Sequence, residues 1–413
     1  MHRILFVLLA ALASGTAQGQ LLSLEEALRL GEAQSPRLAA QRHALAATAE
    51  QVGRAAELPD PKLRLGIENL PVTGAERYRY DQDFMTMRTI GLMQEFPSQD
   101  KRRARNSRAE VLHSLEQQNL AAQRVALQRD VAAAWFEVYY AAKALVALEH
   151  LAAQFKLQID AVAPGVARGR QSAAESFVLR QAFEQATDRV IEQQRMAEKA
   201  RIQLGTWLAD EARRPLGAPP DTARVPHAQD HLIARLAEHP ELRVYDERES
   251  LARSEVELAR SSRKSDWSLE LSYAQREPAF SNMVGVMLSM DLPWQAGRRQ
   301  DRDIASKLAA AEQARAQRED ARRMHEAELR GWLADFDTAR KRIERSETVL
   351  LPLARERVAA ARAAYRGGRG ELGPVLEAER SATEAELGLT QVESERARAW
   401  ARLSFVYAQE GRQ

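Results

Sequence analysis

The sequence repeats itself at a lag of about 200 residues, and such a duplication constrains a fold more than any single motif does. Pro36, Leu38, Leu63, Leu65 and Ile67 fall in register with Pro240, Leu242, Trp267, Leu269 and Leu271. At a slightly shorter lag, Trp135, Tyr139, Ala142 and Val146 match Trp332, Phe336, Ala339 and Ile343. The matched residues are mostly apolar, as a shared core would require. Each half carries the same order of elements: a helical lead-in, two short alternating stretches, a very long helical stretch, a glycine-containing break, and more helix.

The alternating stretches have a period of two. Leu63, Leu65 and Ile67 alternate with Arg64, Gly66 and Glu68, and Thr86 to Phe96 is rich in β-branched and apolar residues. In the second half, Trp267, Leu269, Leu271 and Tyr273 interleave with Ser268, Glu270 and Ser272. Val284, Val286, Leu288, Met290 and Leu292 interleave with Gly285, Met287, Ser289 and Asp291. This pattern predicts strands over about 62–70, 84–96, 266–276 and 282–292, each with one apolar face. A longer loop in the first pair accounts for the change of lag.

Around the strands the pattern is helical. Ser23 and Glu26 form a capping box at the first helix, Ser35-Pro36 interrupts that helix, and Pro59-Asp60-Pro61 forbids its extension. After the basic clusters Lys101-Arg102-Arg103 and Arg298-Arg299, helix is predicted to about Ala163 and about Tyr365. Roughly 65 residues at 1.5 Å each is about 100 Å. Trp332, Phe336, Ala339, Ile343, Ser346, Leu350 and Leu353 step alternately by four and three, a narrow seam for packing helix on helix. Breaks at Pro164 to Gly169 and at Tyr365 to Gly370 reverse each long helix into an antiparallel partner. The proline-rich stretch from Arg213 to Pro226 separates the halves. The predicted organisation is a signal segment over 1–19, a first repeat over 20–212, a linker over 213–228 and a second repeat over 229–413.

Composition narrows the function classes. Charged residues make up 29% and aromatics 6%, as expected of long helices rather than of a compact enzyme. A net charge of +2 gives no broad basic surface for nucleic acid, and none is expected as a partner. Met1-His2-Arg3, the apolar run Ile4 to Leu12 and Gly15-Thr16-Ala17 read as an export signal cleaved after about Ala17 or Gly19. There is no cysteine, hence no disulfide and no thiolate metal site. Beyond the signal no stretch approaches 18 uninterrupted apolar residues, so a membrane role would have to come from strands. Four strands cannot close a usable barrel, and an open sheet edge in lipid leaves unpaired backbone groups costing several kcal/mol each. Three copies would supply twelve strands, enough for a lumen.

With this plan, the chain resembles the TolC-like outer membrane factors over essentially the whole mature sequence. Leu58-Pro59-Asp60-Pro61-Lys62-Leu63, and Gly91-Leu92-Met93-Gln94-Glu95-Phe96-Pro97 before Lys101-Arg102-Arg103, look most like the heavy-metal-efflux branch of the cobalt-zinc-cadmium type. The resemblance implies a mainly α fold with a membrane β-barrel. A homotrimer would form a 12-stranded barrel in outer-membrane lipid and a long helical barrel in the periplasm. It implies docking on a periplasmic adaptor (membrane fusion protein), attached to a proton-driven inner-membrane pump, and a conduit for heavy-metal cations. Many relatives in that branch carry a lipidated N-terminal cysteine; without one, anchoring would rest on the barrel.

The resemblance also directs attention to the breaks. Arg168, Gly169, Ser172, Gly367, Gly368, Gly370 and Leu372 match the adaptor-docking tips, while turns needed only to reverse the chain are the bland alternative. Glu175, Glu371 and Glu377 would form carboxylate rings at the periplasmic aperture under threefold symmetry, against the alternative of a solvated helix face. Glu377 matches an acidic constriction position, whereas Pro374 stands where a second acid is common, which puts a two-layer gate in doubt. His227, His231 and His239 cluster near the linker, but without cysteine or a carboxylate box they do not make a metal site. No phosphate loop, nucleophile elbow or dinucleotide fingerprint is present, so neither a catalytic role nor a cofactor is expected. The competing reading is an exported periplasmic coiled-coil adaptor or scaffold with a small soluble sheet.

Overall fold

A computed structural model of the chain describes residues 21–167, 172–225 and 229–406; the segment over 1–19 predicted as a signal lies outside them. Helices α1 (Leu24–Gln34) and α2 (Pro36–Ala55) precede strands β1 (Lys62–Glu68) and β2 (Met87–Phe96). The long α3 (Gln99–Ala167) and α4 (Ala173–Leu208) follow. The second half holds α5 (Gln229–Ala234), α6 (Pro240–Ser261), β3 (Trp267–Gln275), β4 (Met283–Met290), α7 (Gln300–Arg345), α8 (Leu351–Arg366) and α9 (Leu372–Ser404).

Local chemistry sets the boundaries. The Glu26 N–H donates to Ser23 Oγ at 3.2 Å, capping α1. The expected reciprocal contact of Glu26 is not made, because its carboxylate accepts two bonds from Arg214 at 2.9 and 3.1 Å. That charge-assisted pair is stronger than a box contact, and it holds the Glu26 carboxyl below its ordinary pKa. Pro36 starts α2 in the next residue but one after α1 ends, and Pro240 opens α6 behind an N-cap His239.

Two compact units result, each drawing segments from both halves of the sequence. Pro36–Val125 and Asp230–Glu328 form the unit with the sheet. Its strands run antiparallel in the order β1-β2-β3-β4, so the repeats join at β2–β3. Among its helices, Glu255 of α6 accepts from Arg108 of α3 at 3.1 Å and from Lys307 of α7 at 2.9 Å. Gln123 of α3 donates to Gln41 of α2 at 2.9 Å.

The described residues of the segment ending at Ser35, of Ala126–Gln229 and of Leu329–Val406 form the other unit, which is helical. Trp135 and Phe136 are fully buried in it, and the Trp135 indole donates to Leu22 O at 3.1 Å. Leu22 also exchanges backbone bonds with Pro215 (2.9 Å) and Gly217 (3.1 Å), so the inter-repeat stretch is held against this core. One 18-residue window of α3 reaches a mean hydropathy of 1.4, which by length and composition alone is long and apolar enough to cross a membrane. Its residues explain the value: Val131, Ala132, Trp135, Phe136 and Val138 are core side chains.

The predicted seam on the second long helix holds only in part. Phe336, Ala339, Ile343 and Ser346 are buried, but Leu350 and Leu353 are exposed and Leu351 is buried instead. A π-turn over Ser346–Leu350 inserts one residue into the helical ladder, with Leu351 N–H bonded to Ser346 O. Pro352, in the first turn of α8, has no N–H to return to the preceding turn. The buried stripe therefore moves by one position.

Candidate functional site

The strand register sorts the sheet into two chemically distinct faces. Leu63, Leu92, Leu271 and Val286 lie side by side across the four strands, as do Leu65, Ile90, Tyr273 and Val284. Leu269 with Leu288, and Phe96 with Trp267 and Met290, continue this face. The Phe96 and Trp267 rings stack at 4.2 Å at its end. The alternate positions carry Arg64, Glu270, Ser272, Ser268, Ser289 and Gly91, with an Arg64–Glu270 ion pair of 2.7 Å. The apolar face is uncovered: Val284, Val286 and Leu288 are 70%, 71% and 68% exposed. Among the described residues β1 pairs only with β2, and β4 only with β3, so both edges are open. Apolar and polar side chains thus alternate as they do in strands with lipid on one side and water on the other.

The second helix reversal is a glycine-dependent cap. Gly368 has φ +67°; its N–H donates to Tyr365 O at 3.1 Å, and Arg369 N–H donates to Ala364 O at 3.0 Å. This is a Schellman arrangement, which satisfies the last carbonyls of α8 and needs a left-handed residue. A Cβ on Gly370 would stand 3.2 Å from the Ala364 methyl, so the backbone passes close there. Gly367, Gly368 and Gly370 are exposed. Leu372 is not: it is 4% exposed and packs with Leu151, Phe155, Val162, Leu179 and Val375. It therefore anchors the turn from below and does not present itself at the tip. At the first reversal, Ser172 is exposed and its hydroxyl accepts from Ala174 N–H at 3.1 Å, capping α4. Arg168 and Gly169 lie outside the described residues.

The predicted aperture acids lie at or near the starts of the returning helices. Glu371 is the N-cap residue of α9, without a side-chain cap bond, and Glu175 lies in the first turn of α4. The positive end of each helix favours a carboxylate there. Glu377 is exposed and lies 3.8 Å from Arg380. The sequence reading missed Glu379, two residues on, which is 3% exposed and accepts from Arg362 (2.7 Å) and Gln158 (2.8 Å). That carboxylate joins α3, α8 and α9 just behind the reversal. Only the helical period of α9, which puts Glu379 on the face of Leu372, Val375 and Leu376, could have flagged it.

Of the three histidines grouped by sequence, two are among the described residues. His227 lies outside the described residues, and His231 Nε2 sits 3.3 Å from Arg235. His239 instead lies beside Glu241 and His325.

No protein-family model and no curated protein matches the sequence. Solved structures match it closely in fold at low identity. CusC, described through its folding and transmembrane channel formation, superposes with a TM-score of 0.78 at 16% identity, covering 93% of this chain and 91% of that chain. The outer membrane protein VceC of Vibrio cholerae gives 0.76 at 16% identity, covering 94% and 97%. The CmeC outer membrane channel of Campylobacter jejuni gives 0.77 at 13% identity, covering 94% and 87%. The chain therefore has the fold of the TolC-like outer membrane channels, mainly helical with a small antiparallel strand layer.

Proposed function

We propose that the protein is the outer-membrane channel of a tripartite efflux system, working as a homotrimer with a periplasmic adaptor and, through it, a proton-driven inner-membrane pump. The observation that carries this reading is the two-faced sheet with open edges. Its apolar face is too extensive to leave in water, and its unpaired edges are too costly to leave in lipid. Three copies pairing β1 to β4 satisfy both conditions with a twelve-stranded barrel. The long helices then form the periplasmic conduit. The exposed Gly367, Gly368, Gly370 and Ser172 supply close backbone approach for the adaptor, with Arg168 and Gly169 expected beside them. Glu175, Glu371 and Glu377, repeated threefold, favour cations at the aperture.

The cargo proposed is heavy-metal cations. The reading rests on the local resemblance of the Leu58–Leu63 and Gly91–Pro97 stretches to that branch. It is supported by Met87, Met93, Met283 and Met287, which share the polar face of the sheet by register and offer soft thioethers to a passing ion.

The test is native mass in mild detergent, with planar-bilayer conductance on the same sample. A conducting trimer is expected. A soluble monomer or dimer without conductance overturns the channel and promotes the exported scaffold.

A further inference from the structure

His239, Glu241 and His325 each offer one ligand atom, and these atoms all lie within 4.8 Å of one another. The sequence hides the grouping, because His325 lies more than eighty residues from the others. His239 caps α6, Glu241 sits in the first turn of that helix, and His325 comes from the middle of α7. All three belong to the unit that carries the sheet. We propose that they form a binding site for one divalent transition-metal ion, zinc by preference, which clamps the start of α6 to α7.

The donor set fits. Two imidazoles and one carboxylate are borderline nitrogen and oxygen ligands, a combination zinc accepts with water in the fourth position. Zinc–ligand distances of about 2.0–2.2 Å place donor atoms roughly 3.5 Å apart. The widest gap has to close by about 1 Å while the His325–Glu241 pair opens by less than that, both within the reach of side-chain torsions on fixed helices. His325 is already oriented for the task. Its Nδ1 lies 3.0 Å from Ala321 O and its Nε2 2.8 Å from Glu241 Oε2. A ring whose Nδ1–H is held by a backbone carbonyl presents the Nε2 lone pair outward, the arrangement found behind metal-bound histidines. The position now bridged by the His325–Glu241 contact is where the ion would sit. The His239 ring meets that of His325 at 5.2 Å between centroids, and it is 2% exposed, so its position is fixed by packing.

Two local contacts oppose the ion: the His325–Glu241 hydrogen bond, whose Nε2 proton it has to displace, and the cap of α6. Glu241 N–H donates to His239 Nδ1 at 3.2 Å. Ligation through either nitrogen of His239 removes that cap, since Nδ1 is then protonated or metal-bound. The proposal therefore predicts a site of moderate affinity that opens and closes with the ion. It stands apart from the channel reading, because it concerns helix contacts within one unit and needs neither a lumen nor a cargo.

The experiment is isothermal titration of untagged full-length protein with Zn2+, alongside thermal melting and the visible spectrum with Co2+. One ion per protomer, a raised melting temperature and Co2+ bands of tetrahedral type are expected. His325→Ala and His239→Ala should each weaken zinc binding by at least about 100-fold, since even losing an outer-sphere partner costs about 10–100-fold. His325→Gln preserves volume and polarity and serves if the alanine variant does not fold; it too should lose the ion. Glu241→Gln should weaken binding while keeping helical content. No stoichiometric binding overturns the proposal. So does zinc uptake that persists in folded His239→Ala/His325→Gln protein, which would place the ion elsewhere.

Discussion

Gly368 is held with φ +67° by two backbone bonds that finish α8, and no side chain crowds the position. Space therefore does not forbid a larger residue there; backbone conformation does. An alanine would keep the Schellman bonds only by entering the left-handed region, at a cost of about 1 kcal/mol. Gly368→Ala should lower the unfolding midpoint by that amount, measured by the helical circular dichroism signal in urea, while Gly373→Ala, on a helix and open to solvent, should not lower it. Equal effects at both positions would remove the conformational explanation. Leu372 makes the complementary point. As a residue type beside a glycine-rich break it reads as surface from sequence, and burial among Leu151, Phe155 and Leu179 shows that it serves the turn by packing.

Elements join through charges as well as through apolar seams, and the clearest junction is Glu255. Its carboxylate ties α6 to Lys307 of α7 and Arg108 of α3. The Lys307 hydrogen bond, opposed by desolvation and aided by Arg108, holds its pKa below the ordinary carboxylate value. A lowered folded-state pKa contributes stability above the unfolded pKa, and the contribution is lost as pH falls through the folded one. Glu255→Gln should therefore be less stable than the native chain at pH 7. Because water still reaches the group, the difference should be no more than about 1 kcal/mol. It should vanish in a melting series taken below the ordinary carboxylate range; a difference independent of pH would assign the loss to packing instead. At this scale much was legible in the sequence. All four strands fall inside the predicted ranges, because period-two alternation with bulky residues at the ends is a strong signal over seven to ten positions. The second reversal and the break at Pro36 were legible because glycine and proline act through backbone geometry alone, whereas the first long helix does not end near Ala163 as expected and runs on through Pro164 to Ala167. What was not legible depended on contacts remote in sequence. Arg214 takes Glu26 away from its capping box, Arg362 and Gln158 bury Glu379, and the π-turn before Pro352 shifts a seam that heptad spacing drew straight.

The whole molecule must reconcile a charged, helix-rich chain with a strand layer whose exposed side chains are aliphatic. Register makes that conflict testable, because neighbouring residues on β3 face opposite ways. Leu271 stands in the middle row of the apolar face, between Leu92 and Val286. Ser272 stands on the other face, between Gly91 and Gly285. If three copies close a barrel in lipid, a lysine at Leu271 must bury its ammonium in hydrocarbon near mid-depth, at a cost of about 2–4 kcal/mol. A lysine at Ser272 instead projects into water, where the glycines on either side leave it room. Leu271→Lys should therefore reduce the trimer recovered in the outer-membrane fraction, with the remainder found as aggregate or degraded chain. Ser272→Lys should leave the yield and trimer mass unchanged and shift conductance toward anions, since it adds three positive charges to the lumen. The two variants carry the same charge one residue apart, so any general effect of lysine on strand propensity or export is shared. Equal membrane yield for both would mean that the apolar face does not meet lipid, and the sheet would then have to be covered by protein.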